Sequence, residues 1–233
     1  MKPIRSIGII MDGNRRWAKA RGLPPFEGHR QGYETLKKLS DAFPRLRETH
    51  GLEYVTLYAF STENWKRHAE EVEFLMRIFE GALRENLDSI SRGMPEEKRL
   101  RIRVAGQKER FSPKLQALIQ EIEEKTKDFK AGTVCFALSY GGRAEMLNAA
   151  ATLAAKGEPL TEENFSNALW TAGIPDPDII IRTSGEKRLS NFLPWQSVYS
   201  ELFFPETLWP DFSAEELERI FEEFYARERR HGA

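Results

Sequence analysis

An α/β fold with a mostly parallel, six-stranded central sheet flanked by helices is what this sequence predicts, and three observations carry the prediction. Strand-like and helix-like segments alternate from end to end of the 233 residues, the order that places helices on both sides of a parallel sheet. Several strand candidates are short runs that are apolar on both faces, as in strands covered on both sides. No internal repeat, low-complexity segment or linker breaks the alternation, so 1–233 reads as a single domain.

Each element has a local reason. Ile7, Ile9, Ile10 and Met11 form the first strand. Gly13 and Asn14 allow a tight turn after Asp12, and Arg16–Arg21 starts a helix. Gly28–Thr49 predicts a long helix stopped by Gly51, and Tyr54–Phe60 a second strand. Val72, Leu75, Met76, Phe79, Leu83, Leu87 and Ile90 recur at helical spacing, a face that belongs to the core or lines a tunnel. Gly93–Arg99 is a polar loop in which Pro95 prevents the helix from continuing. Leu100, Ile102 and Val104 alternate with Arg101 and Arg103 as in a half-exposed strand. Ser112-Pro113 caps and opens the next helix. Thr133–Leu138 is a buried strand, Gly142–Lys156 a helix ended by Gly157, and Thr161–Leu169 a short helix. Asp178–Arg182 and Ser197–Phe204 are the last strands, and Ser213-Ala214-Glu215-Glu216 is a capping box for the final helix.

Thirty-five Lys and Arg against 36 Asp and Glu leave a net charge of −1, which excludes nucleic acid as a partner of the whole surface. Residues 1–30 nevertheless hold seven basic side chains (Lys2, Arg5, Arg15, Arg16, Lys19, Arg21, Arg30) against Asp12 and Glu27, which marks a local anion site. The single Cys135 lies in the apolar run Val134–Leu138 and reads as a buried, inert thiol. Its isolation suits a cytoplasmic location. No apolar leader precedes Ile4 and no stretch approaches the roughly 20 apolar residues that span a bilayer. The expectation is a soluble protein that meets a membrane only peripherally, through a lipid product.

In open α/β sheets ligands bind beyond the carboxyl ends of the strands. The polar segments Asp12–Arg16, Ser61–Arg67 and Arg182–Asn191 follow the first, second and fifth strands and are expected to converge on one cleft. The turn after Asp12 aims free amides at an anion, Arg15 and Arg16 suit phosphate, and Asp12 suits a divalent cation bridging to it. The same residues also suit a turn that merely caps a helix. Arg182–Ser190 sets two arginines and several hydroxyls around Gly185, the donors a pyrophosphate needs; a solvated loop is the alternative. Ser61–Arg67 is a strand-to-helix loop with Ser61 or Thr62 as cap. No Walker sequence, Gly-rich nucleotide fingerprint or DDxxD pair occurs, and Asn14 stands where a phosphohydrolase built on Asp12 has a second carboxylate.

IGIIMDGNRRWAKARG resembles the signature of the cis-prenyltransferases, the family of the undecaprenyl pyrophosphate synthases. GHRQGYETL from Gly28, LYAFSTENWKR from Leu57 and PDIIIRTSGEKRLSNFLPWQSVYSELFF from Pro177 extend the resemblance over nearly the whole chain. It implies a Mg²⁺-dependent transferase of prenyl (alkyl) groups. Such an enzyme condenses isopentenyl pyrophosphate repeatedly onto an allylic pyrophosphate such as farnesyl pyrophosphate. The product is a long-chain polyprenyl pyrophosphate such as undecaprenyl pyrophosphate, a lipid-carrier precursor for cell-wall synthesis. By resemblance, Asp12 and Asn64 are catalytic. Gly13, Asn14, Arg15, Arg16, Trp17, His29, Ser61, Thr62, Glu63, Trp65 and Arg67 bind substrate, His29 and Arg67 beside the allylic pyrophosphate. Arg182, Arg188, Leu189 and Ser190 belong to the acceptor site, and Asp12 and Glu201 share the Mg²⁺. An amide is a poor base, so either Asn64 or pyrophosphate receives the departing proton.

The family is homodimeric, which implies that Arg230 and Gly232 reach the partner's site and that Leu202, Phe203, Phe204 and Trp209 form buried surface. The resemblance also implies a hydrophobic tunnel between the sheet and the Val72–Ile90 helix. Pro25 departs from the pattern, standing where most members have an arginine, with Arg21 or Arg30 as candidates to compensate. Lys187 replaces a histidine of some members, His68 a frequent proline, and Gly132 falls where a bulky residue can close the tunnel floor. The Gly93–Arg99 loop is a few residues longer than in typical bacterial members. A non-catalytic subunit of this fold would have lost Asp12, Asn64 or the Arg182–Ser190 loop, and all are present.

Overall fold

Six strands run in one direction through the centre of the molecule, in the order β3-β4-β2-β1-β5-β6. The computed structural model describes residues 3–227. The strands are β1 (Ser6–Ile10), β2 (Tyr54–Ser61), β3 (Arg101–Ala105), β4 (Thr133–Tyr140), β5 (Ile179–Arg182) and β6 (Glu201–Phe203). The α-helices among the described residues are α1 (Asn14–Ala20), α2 (Pro25–His50), α3 (Ala69–Ser91), α4 (Pro113–Thr126), α5 (Gly142–Lys156), α6 (Glu162–Ala168) and α7 (Ala214–Ala226). The result is a single α/β domain, as the alternating elements predict, with a sheet parallel throughout.

The central strands alternate between two cores. Ile7, Ile9, Val55, Leu57, Ile179 and Ile181 join residues of α2 and α7, whereas Ile10, Cys135, Ala137 and Ile180 join Tyr140, Phe192 and Leu193 on the other face. A third cluster unites α3, α4 and β3 through Leu75, Leu83, Leu87, Leu115, Ile119 and Ile102. Cys135 is buried as expected, and burial pushes its thiol up to about 12.

Helix ends follow the local chemistry, with one exception in detail. Ser112 accepts from Leu115 N at 3.2 Å and Thr161 from Asn164 N at 3.1 Å. Ser213 likewise accepts from Glu216 N at 3.3 Å, but the Glu216 carboxylate turns away to accept from Thr207 Oγ1 at 2.8 Å. Only half of the expected capping box therefore forms. Pro25 occupies the first turn of α2, where a missing N–H costs nothing. The last strand is shorter than Ser197–Phe204: pairing begins at Glu201 opposite Ile179, and Ser200 uses its hydroxyl on Pro177 O at 2.5 Å.

Helices α1 and α2 meet over glycines. A Cβ on Gly28 would overlap the Asn14 carbonyl, and one on Gly32 would stand 2.8 Å from the Trp209 ring. Trp209 donates to Gly32 O at 2.9 Å and is 1% exposed. It is therefore core, as is Phe203 at 4%, which corrects their assignment to a surface between subunits. Substituting Gly28→Ala is expected to destabilise the fold by about 2 kcal/mol, because backbone must move to admit the methyl group. Urea denaturation measures this, with Gly81→Ala in α3, a helical glycine whose Cβ meets nothing within 4 Å, as the control for glycine entropy.

Candidate active site

The carboxyl ends of β1, β2 and β5 bring the predicted segments together. Register places Ile10 beside Arg182, so the residues just after β1 face the end of β5. Arg182 is 5% exposed; its Nη2 donates to Asp12 Oδ2 at 2.8 Å, and its Nη1 donates to Arg188 O and Ser190 Oγ, each at 2.7 Å. Asp12 Oδ1 accepts from Gly13 N at 2.7 Å. Burial opposes ionisation of Asp12, but the Arg182 guanidinium, the Gly13 amide and the charge of Arg16 together hold its pKa below the usual range. Gly13, at φ 108°, makes the turn into α1. Arg16 reaches across to the Ser184 carbonyl at 3.2 Å and to the Ser184 hydroxyl, with Glu186 at 3.6 Å.

A second group forms where α2 meets the start of α3. His29 Nε2 lies 3.2 Å from Glu71 Oε1, and Arg67 donates to the same oxygen at 3.0 Å. The imidazole and this carboxylate are 8% and 11% exposed. Burial lowers the His29 pKa, Glu71 opposes that effect, and Arg67 and Arg15 reinforce it. The imidazole is thus neutral at pH 7, with its proton on Nε2 toward the carboxylate. Sequence reasoning missed Glu71; its i,i+4 spacing from Arg67 was the available signal. Arg15, Glu63, Lys66, Arg67, His68 and Glu71 line a polar hollow of about 310 Å³.

The loop after β2 forms a single 3₁₀ turn, Thr62–Lys66. Asn64 Oδ1 accepts from Ser61 N at 3.0 Å while Ser61 caps Asn64 N in return. The amide oxygen is committed to this reciprocal cap, and its N–H groups remain to donate. Trp65 donates to Ser139 Oγ at 2.9 Å and packs on Phe60 and Phe111.

Below this mouth, a cavity of about 590 Å³ runs between α2, α3 and the sheet, from Asn14 and His29 past Leu36, Leu75, Phe79 and Phe136 to Leu100 and Ile102. This is the expected tunnel. Phe43 closes part of its floor: a Cβ on Gly132 would stand 2.5 Å from the Phe43 ring, so an α2 aromatic fills the space left by the absent side chain.

Other candidates lie apart from the cleft. Trp17 donates to Asp211 at 2.7 Å beneath the Arg21 guanidinium. Arg21 is held by Asp211 at 3.1 Å and Arg30 by Glu27 at 2.6 Å, which commits both to carboxylates other than those of the cleft. Leu189 packs against the core cluster that includes Tyr140 and Phe192, and Lys187 is exposed. Glu201 accepts from Arg227 at 2.9 Å and sits at the register of Ile179, three residues back from Arg182. Roughly 10 Å of strand rise therefore separates it from the Asp12 end of the same chain. Arg230 and Gly232 lie outside the described residues.

Among the described residues no three His, Cys, Asp or Glu side chains cluster as metal ligands. Asp12 is a carboxylate beside the turn that opens α1, where free amides favour an anion. That donor set fits Mg²⁺, which is usually held by one or two carboxylates together with substrate phosphates.

His29 is expected to titrate below 6.5, and Glu71→Gln to lower it further by removing the group that favours the imidazolium. Histidine NMR titration reads both. Since the unfolded chain protonates more readily, this histidine's contribution to stability is complete above pH 6.5 and is lost as pH falls through the folded value.

The family model for undecaprenyl diphosphate synthase, a prenyltransferase, matches residues 10–232. The isoprenyl transferase of Thermotoga maritima is 46% identical over 100% of this chain and 98% of its own. That of Fusobacterium nucleatum is 43% identical over 98% and 95%. Lavandulyl diphosphate synthase from Lavandula x intermedia, solved with dimethylallyl diphosphate, superposes with a TM-score of 0.91 at 33% identity, covering 100% of this chain and 99% of that one. A probable undecaprenyl diphosphate synthase from Campylobacter jejuni superposes with 0.81 at 35% identity, both chains covered completely. No helix among the described residues is long and apolar enough to cross a membrane. The amide-and-guanidinium mouth over an apolar cavity and the full-length matches agree: this chain belongs to the undecaprenyl diphosphate synthase family and is a prenyl transferase.

Proposed function

We infer that the protein extends an allylic diphosphate, farnesyl diphosphate as primer, by repeated addition of isopentenyl diphosphate to a long-chain product such as undecaprenyl diphosphate. The observation that supports this reading is the adjacency of an arginine-bearing hollow and a deep apolar cavity: Asn14 of the cavity precedes Arg15 of the hollow, and His29 of the cavity contacts Glu71 of the hollow. A diphosphate headgroup and a hydrocarbon tail need those two environments end to end.

The first turn of α1, with Arg15 and Arg67, binds the allylic diphosphate and stabilises the charge it gains as its C–O bond breaks. Keeping His29 neutral leaves the fixed guanidinium groups as the local positive charge. The loop after β5 holds the acceptor, whose double bond attacks the allylic carbon; the acceptor then loses a proton. Asn64 Oδ1 is engaged in its cap, so the departing diphosphate takes that proton and Asn64 orients through its N–H groups. Asp12 would hold Mg²⁺, which when bound neutralises charge on the diphosphate. Within one chain Glu201 is too distant to share that ion.

A homodimer belongs to the same reading. Val198, Tyr199 and Leu202 are 69%, 81% and 37% exposed, beside and on the edge strand β6. Clustered apolar surface of this kind marks an interface. With product leaving as a long-chain lipid, peripheral membrane contact follows.

Incubating the purified chain with farnesyl diphosphate, labelled isopentenyl diphosphate and Mg²⁺ should yield a polyprenyl ladder, with Asp12→Ala reducing turnover at least about 100-fold. Absence of incorporation with any short allylic primer would sink the reading. Sedimentation equilibrium should give a dimer, shifted to monomer by Tyr199→Glu; a monomeric parent chain would remove the dimer alone.

A further inference from the structure

Asn191 stands where two segments of the cleft meet. It follows Ser190 directly, and both have left-handed backbone, with φ of 47° and 68°, a region asparagine tolerates better than most residues with a side chain. Its carbonyl accepts from Gly142 N at 2.8 Å and its Oδ1 from Arg143 N at 2.9 Å. Asn191 thus satisfies the first two amides of α5, whose own N-cap residue, Gly141, has no side chain to do so. This fixes the carboxamide orientation, because N–H groups only donate. The remaining amine faces Glu63 Oε1 at 3.2 Å, and a carboxylate only accepts. The contact needs the glycine between the segments: a Cβ on Gly141 would stand 2.7 Å from Thr62 Oγ1 and 2.8 Å from Asn191 Nδ2. Tyr58 adds a parallel tie from β2, donating to Ser190 O at 3.2 Å.

We propose that Asn191 is a positioning residue that locks the Arg182–Ser190 loop to the Thr62–Lys66 turn, so that the acceptor's diphosphate site and the turn carrying Asn64 keep one mutual geometry. The proposal rests on the reading of Arg182–Ser190 as the acceptor site. Every polar group of the Asn191 side chain is engaged by protein, Oδ1 by Arg143 N and Nδ2 by Glu63. Asn191 sets the backbone of Ser190 on one side and the carboxylate of Glu63 on the other.

Asn191→Asp keeps an oxygen for Arg143 N but opposes two carboxylates. It should raise KM for isopentenyl diphosphate roughly ten-fold, with a smaller change in kcat and in KM for the allylic substrate. Glu63→Gln alone also weakens the acceptor. Combined with Asn191→Asp it again sets an amide against a carboxylate, and it should recover most of the KM loss. An unchanged KM in Asn191→Asp, or a double variant whose losses multiply, overturns the proposal. Amide hydrogen exchange provides a readout independent of turnover. Asn191→Asp should speed exchange in Thr62–Lys66 and in Arg188–Ser190 together, and the double variant should reverse both. Exchange that rises in the acceptor loop alone overturns the coupling, whereas a parent chain without turnover but with coupled exchange removes only the acceptor reading.

Discussion

The ion pair between Asp12 and Arg182 is the constraint on which the rest of the cleft depends. Adjacent parallel strands pair Ile10 with Arg182, which brings Asp12, two residues on, within reach of the guanidinium. A buried arginine is costly unless every donor is engaged. Arg182 meets that requirement at both terminal nitrogens, with Asp12 on one side and with the Arg188 carbonyl and Ser190 hydroxyl on the other, and leaves its Nε buried without a partner. One side chain thereby fixes the end of β1 relative to a loop that closes on itself eight residues later. The Asp12 backbone carbonyl extends the same knot by accepting from Thr183 Oγ1 at 2.7 Å and from Trp209 N at 3.0 Å. Such a pair contributes more to geometry than to net stability, because desolvation consumes most of its attraction.

A second consequence of burial is electrostatic division of labour at the mouth. Glu71 holds both His29 and Arg67 through one oxygen, and the low exposure of the trio keeps the histidine neutral while the arginines stay charged. Cationic surface is thus concentrated at fixed guanidinium groups just above the apolar cavity. A protonating imidazole there would bring a charge that moves with pH to the entrance of a hydrocarbon site.

Fold and cleft were legible in the sequence to different degrees. The alternating elements, the buried thiol, the long amphipathic α3 and the convergence of three strand ends follow from periodicity and from the topology of parallel sheets. Limits of that reading show at particular residues. Ser197–Ser200 has strand-like composition but forms a turn, because the edge of a sheet offers pairing on one side only. Glu216 matches a capping box yet accepts from Thr207. Phe203 and Trp209 are large and apolar near the chain end, and only packing reveals that they fill the core.

The sequence implied the class of chemistry only through the resemblance of its motifs to the cis-prenyltransferases; what residue type and spacing marked was a carboxylate, a Gly-Asn turn and paired arginines at strand ends, with an apolar helical face beside them. Those are local properties of residue type and spacing. Which carboxylate pairs with which donor was decided by tertiary structure alone, since Asp12 with Arg182, Glu71 with His29 and Glu63 with Asn191 are 170, 42 and 128 residues apart. Strand register and helix crossing set those partners, and neither is encoded in any short stretch of chain.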